Sequence, residues 1–131
     1  MKCLIVDDEV FCREFVATLL RDVASCDQAC EGHAALAKYT RAQQSDEPYD
    51  LVILDIMMPG LSGRDTAKAI RSLEDEQKTA KKVNIIMLTA LNSANDAIES
   101  FCEAQSAGYL VKPVSKDGLF KMISKLGLMK R

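Results

Sequence analysis

Long apolar runs are missing from this 131-residue chain. None approaches the roughly 18 residues a membrane span requires, so no membrane partner is expected. Basic charge is not in excess. Seventeen Lys and Arg stand against nineteen Asp and Glu, a formal net charge of −2, so no nucleic-acid partner held by bulk charge is expected. An export leader is also missing. The apolar start Cys3-Leu4-Ile5-Val6 meets Asp7 and Asp8 at once, whereas a secretory segment is longer and ends in small residues. Histidine occurs once, at His33, and reads as a surface residue; with Cys26 and Cys30 as the only close cysteine pair, a zinc site is short of ligands. The five cysteines (Cys3, Cys12, Cys26, Cys30, Cys102) are odd in number and irregular in spacing. They read as free, buried, inert thiols in a reducing cytoplasm. Repeats, low-complexity segments and long linkers are lacking, so residues 1–131 read as one domain, with 48% hydrophobic residues to build its core.

What the chain does contain is an alternation of short apolar runs and amphipathic stretches. Cys3-Leu4-Ile5-Val6, Leu51-Val52-Ile53-Leu54, Val83 to Leu88 and Tyr109-Leu110-Val111 read as buried strands, with a weaker strand at Cys26 to Cys30. Helical spacing runs over Val10 to Val23, with Asp8 as a plausible N-cap, over Gly32 to Tyr39, Arg64 to Leu73 and Asp96 to Ala104, and from about Lys116. Pro59-Gly60 and Ser62-Gly63 mark a turn-rich loop, and Glu74 to Lys82 reads as a solvated helix end with a loop. Strands this apolar leave no face for water. The expectation is an α/β fold: a single doubly wound, five-stranded parallel sheet covered by helices on both sides.

Polar residues end four of these strands: Asp7 and Asp8, Asp55, Thr89 and Lys112. In an open parallel sheet, ligands bind outside the carboxyl ends of the strands, so these side chains should converge. Taken singly, each has a structural reading: Asp8 as a cap, Thr89 as a half-buried strand residue, Lys112 as a solvated lysine. Taken together they carry a chemistry. Clustered carboxylates repel one another unless something positive sits among them, and Mg²⁺ accepts oxygen ligands from one or two carboxylates plus waters. A carboxylate nucleophile, a divalent ion, an ammonium and a hydroxyl are the parts needed to accept a phosphoryl group.

These residues resemble the response-regulator receiver domains of two-component signalling, in a layout close to the single-domain chemotaxis regulators. The resemblance rests on Asp7-Asp8, on Asp55 within Ile53-Leu54-Asp55-Ile56-Met57-Met58-Pro59-Gly60-Leu61-Ser62-Gly63, on Thr89-Ala90 and on Lys112-Pro113, and spans residues 2 to 128. It implies the flavodoxin-like receiver fold with strand order 2-1-3-4-5. It implies Asp55 as phosphoacceptor, with Thr89 and Lys112 assisting and Thr89 and Tyr109 as the switch pair. It implies Mg²⁺ held by Asp8, Asp55 and the Met57 main-chain oxygen, with Asp7 acting through water. A cis bond is implied at Lys112-Pro113.

The implied partners are a sensor histidine kinase or phosphotransfer protein, and a downstream protein docking on the fourth helix (Asp96 to Ala104), fifth strand and fifth helix. The implied oligomeric state is a monomer or a phosphorylation-dependent dimer. With no output domain expected after Arg131, the chain reads as a stand-alone regulator. It is expected to catalyse only its own phosphorylation and slow dephosphorylation. The residues two after the phosphoacceptor and two after the switch threonine are Met57 and Leu91, both apolar and poorly suited to orient an attacking water. Two alternatives fit less well. A dehalogenase-like phosphatase needs a second acid where Met57 stands, and a flavodoxin-like cofactor site needs a Ser/Thr/Gly loop where Asp7-Asp8-Glu9 stands.

Overall fold

The computed structural model describes residues 1–90 and 108–128. The elements are β1 (Lys2–Val6), α1 (Val10–Leu20), β2 (Ser25–Ala29), α2 (Gly32–Gln43), β3 (Leu51–Asp55), α3 (Gly63–Glu76), β4 (Asn84–Thr89), β5 (Gly108–Val111) and α4 (Lys116–Lys125). The helix expected at Asp96 to Ala104 lies outside the described residues, so the helix expected as the fifth is labelled α4. The five strands form one parallel sheet in the order β2-β1-β3-β4-β5, as the family resemblance implies.

Side chains alternate across the pleat, and each face has its own core. Leu4, Val6, Val52, Leu54, Ile85 and Met87 pack with Ala35 and Tyr39 of α2 and Ala67 and Ile70 of α3. Cys3, Ile5, Leu51, Ile53, Ile86 and Leu88 pack on the other face with Val16 and Leu20 of α1 and Leu119 and Ile123 of α4. Burial on both faces is why the central strands read as unbroken apolar runs.

Four expectations need correction. Asp8 does not cap α1. The cap position is Glu9, whose side chain makes no capping bond, while its N–H donates to Asp7 Oδ1 at 2.9 Å. Asp7, not Asp8, therefore anchors the turn into the helix. The stretch from Glu74 is not simply solvated. Glu74 is 1% exposed, accepts from Arg71 at 2.6 Å and from the Val83 N–H at 2.7 Å, and so ties the end of α3 to the chain entering β4. The thiols are not uniformly buried: Cys3 is, Cys12 and Cys26 are half-buried, and Cys30 is exposed. β2 lies one residue earlier than expected, and as an edge strand it alternates exposed and half-buried side chains until Ala29.

The loop after β3 is held close to the sheet at Gly63, whose N–H donates to the Ile56 carbonyl at 3.0 Å. A Cβ at Gly63 would lie 2.0 Å from the Asp55 carbonyl oxygen. The obstacle is backbone and cannot swing away. Gly63→Ala is therefore expected to cost about 2–4 kcal/mol through forced backbone displacement. Urea denaturation reads this directly, and an unchanged midpoint would show that the loop relaxes without strain.

Candidate functional site

The sheet changes winding direction between β1 and β3, which places a crevice beyond their carboxyl ends. Val6 pairs with Leu54 in the register, so the next residues, Asp7 and Asp55, emerge side by side. One ligand oxygen from each of Asp7, Asp8 and Asp55 lies within 4.8 Å of the others, a group able to hold a metal ion. Asp7 and Asp55 are buried, while Asp8 faces solvent. Lys112, at the end of β5, reaches across from the far side of the crevice. Its Nζ lies 2.9 Å from Asp7 Oδ2, 3.4 Å from Asp55 Oδ2 and 3.9 Å from Glu9 Oε1. The Lys112-Pro113 bond is cis, as the resemblance implies.

The two buried acids are engaged differently. Asp7 Oδ1 accepts from the Glu9 N–H, while Oδ2 faces the Lys112 ammonium as an ion pair without a well-directed hydrogen bond. The Asp7 carbonyl also accepts from Arg13 at 2.8 Å. Asp55 accepts a longer bond from the Met57 N–H, 3.3 Å, and its contact with Lys112 is the looser of the two. Burial and the neighbouring Asp7 charge push the Asp55 carboxyl up to about 6, against the opposing pull of Lys112. Burial disfavours the Lys112 ammonium, but its contact with Asp7 and the charges of Asp55 and Asp7 outweigh that and hold it protonated above its ordinary range. One lysine thus faces three nearby acids, which is the charge imbalance a divalent cation would correct.

A pH dependence follows. Without a cation, folded Asp55 holds its proton more tightly than the unfolded chain, whose carboxyl has a pKa near 3.8. That preference stabilises the fold below about pH 4 and is lost as the pH rises through about 6. Asp55→Asn removes the charged form and should stabilise the metal-free protein at pH 7 by about 1–2 kcal/mol. The advantage should vanish near pH 4. Urea titrations at the two pH values check this, and an equal difference at both would refute the assignment.

Thr89 ends β4 fully buried, its hydroxyl donating to the Ala90 carbonyl at 3.2 Å. Tyr109 lies opposite Met87 in the register, half-buried against the core beneath α2 and α3. Met57 is 64% exposed beside Asp55, so it does not cover the core edge; its neighbour Met58, 8% exposed, does that. Leu91 lies outside the described residues. His33 is exposed on α2, outside the cluster. Sequence reasoning missed the roles of Arg13, which braces the Asp7 backbone, and of Glu9, the outer acid facing Lys112.

Comparisons with known proteins point to one family. The family model described as the response regulator receiver domain matches residues 3–124. A chemotaxis protein, CheY-3 of Vibrio cholerae, is 34% identical over 128 residues, covering 96% of this chain and 91% of that protein. The sensor protein GacS of Pseudomonas syringae is 36% identical over 124 residues, and the regulatory protein ResD of Bacillus subtilis 37% over 115. The chain covers 13% and 42% of those two longer proteins. Among solved structures, CheY4 of Vibrio cholerae superposes with a TM-score of 0.77 at 31% identity, covering 95% of this chain and 96% of that one. A receiver domain protein of Clostridium thermocellum gives 0.79 at 29% identity, covering 98% of each chain.

Proposed function

The chain belongs to the response-regulator receiver family, and from that premise we propose that it works as a phosphorylation switch with Asp55 as acceptor. Phosphoryl acceptance is the activity the family implies. The observation that carries the assignment to this site is the convergence of Asp7, Asp8, Asp55 and Lys112 at the ends of three strands. The donor is a sensor histidine kinase or a phosphotransfer protein. An Asp55 carboxylate oxygen bonds to phosphorus as the donor's P–N bond breaks. Lys112 Nζ, already beside that carboxylate, neutralises charge on the phosphoryl oxygens.

The acidic group fits a hard divalent cation such as Mg²⁺. Asp8, Asp55 and the Met57 main-chain oxygen would be its ligands, with Asp7 reaching it through water. When bound, the ion offsets the repulsion among the carboxylates and the incoming phosphate. A phosphoryl group on Asp55 offers the Thr89 hydroxyl a stronger acceptor than the Ala90 carbonyl. Movement of Thr89, with Tyr109 on the neighbouring strand, then remodels the surface that includes β5 and α4 for a downstream protein. That partner, a cytoplasmic location and a monomer or phosphorylation-dependent dimer all belong to the same proposal. Among the described residues, no helix is long and apolar enough to cross a membrane.

The test is incubation with acetyl phosphate and Mg²⁺, followed by intact mass measurement. A gain of one phosphoryl group, abolished by EDTA and by Asp55→Asn, is expected. Uptake by Asp55→Asn equal to wild type would move the acceptor elsewhere.

The lifetime of the phosphorylated state depends on how water reaches phosphorus. Met57 stands exposed beside Asp55 and offers that water no hydrogen bond. Met57→Asn supplies an amide able to orient it, and phosphate release from the purified protein should quicken by about 3–10-fold. Release no faster than from wild type would show that this side chain does not set the lifetime.

A further inference from the structure

Two thiols meet at the opposite end of β1 from the acidic cluster. Cys3 and Cys26 are direct partners in the parallel β1–β2 register, and both belong to the face covered by α1 and α4. Neighbouring strands run about 4.8 Å apart. That falls inside the roughly 4.4–6.8 Å span of Cα atoms joined by a disulfide. The Cys3 thiol is fully buried, while Cys26 is half-buried and free. Cys26 lines a cleft of about 310 Å³ with Ala17, Thr18, Arg21 and Ala24, which gives a small reagent a way in.

We propose that Cys3 and Cys26 are a reversible thiol–disulfide modification site, with Cys26 as the thiol that reacts with oxidant and Cys3 as the resolving thiol. The oxidant is a hydroperoxide. The Cys26 thiolate attacks one peroxide oxygen, the O–O bond breaks and hydroxide or alkoxide leaves, so Cys26 becomes a sulfenic acid. The Cys3 sulfur then attacks the Cys26 sulfur. The S–O bond breaks, and the departing oxygen leaves as water with the Cys3 proton. Two thiols and one hydroperoxide thus yield one disulfide, one water and one alcohol or second water.

The division of roles follows from access: Cys26 is half-buried and lines the cleft, whereas Cys3 is fully buried. The neighbouring Cys3 thiol lowers the Cys26 pKa from the ordinary thiol value, against the effect of burial. The neighbouring Cys26 and burial together hold Cys3 well above that value. The accessible thiol is therefore the one that ionises first, and the inaccessible one is its reserve. Cys12 does not compete on these terms, since burial and the Asp7 charge raise its thiol. The bridge would fasten the edge strand β2 to β1 beneath α1.

The sequence makes the product easy to identify. Cleavage before aspartate, at Asp7, Asp8, Asp22 and Asp27, isolates Cys3 in peptide 1–6 and Cys26 in peptide 22–26, each with no other cysteine. The full-length folded protein is treated with hydrogen peroxide, alkylated, and digested without reductant. Peptides 1–6 and 22–26 should appear joined, lighter than their sum by two hydrogens, and dithiothreitol should separate them. Cys26→Ser should abolish the link. Cys3→Ala should leave Cys26 to progress to the sulfinic acid, and because Cys26 is half-buried, the Cys26→Ser arm remains readable even if the Cys3 variant fails to fold. Overturning results are two: peptides that stay unlinked while Cys26 oxidises in the native protein, or a link from Cys26 to any other cysteine.

Discussion

Lys112→Met is expected to lower stability at pH 7 by about 2–4 kcal/mol, because it leaves two buried carboxylates without their counter-charge. Methionine keeps the length and apolar stem of the lysine, so lost packing contributes little. Asp7 loses its 2.9 Å partner and Asp55 its 3.4 Å partner at once. Asp55 already titrates near 6 with Lys112 present, and without it the carboxyl should rise further. The deficit should therefore shrink as the pH falls below about 6 and Asp55 takes up a proton. Millimolar Mg²⁺ should restore part of the loss at neutral pH by supplying the missing positive charge. Urea denaturation at pH 7 and pH 5, with and without Mg²⁺, reads all three effects. A variant as stable as wild type at pH 7 would mean that water, not Lys112, offsets these charges.

Asp8→Ala is expected to slow phosphate uptake from acetyl phosphate by about 10²-fold at limiting Mg²⁺, the scale of losing one electrostatic contributor to a reacting site. The effect on folding should be small. Asp8 faces solvent, so relief of its repulsion with Asp7 and Asp55 should stabilise the metal-free protein by no more than about 0.5 kcal/mol. That contrast separates an ion ligand from a structural acid. Raising Mg²⁺ should recover part of the rate if Asp8 acts through the ion. Uptake equal to wild type at limiting Mg²⁺ would remove Asp8 from the ligand set. A large loss of stability would instead make it a structural residue.

The sequence by itself determined the central sheet and the identity of the clustered acids. β1, β3 and β4 are buried on both faces, so period-two alternation disappears and the runs Leu4 to Val6, Leu51 to Leu54 and Ile85 to Leu88 stand out unmistakably. Polar residues closing such runs must sit at the carboxyl edge of a parallel sheet, which is why Asp7, Asp8, Asp55, Thr89 and Lys112 were legible as a group. Edge strand β2 was faint because half its side chains meet water, leaving only Ser25 to Ala29 with no apolar run.

What the tertiary structure alone decided is how the charges are shared. Nothing local distinguishes Asp7 from Asp8 as the anchor of α1, or shows that Lys112 lies nearer Asp7 than Asp55. Glu74 resembles a solvated helix-end acid until the Val83 N–H, nine residues on, is brought against it. Cys3 and Cys26 become neighbours only through the β1–β2 register. Hydrophobic pattern is a property of each segment and survives in one dimension. Charge pairing and thiol proximity depend on angstrom-scale distances between segments, which the chain acquires only when the sheet closes and the helices pack over it.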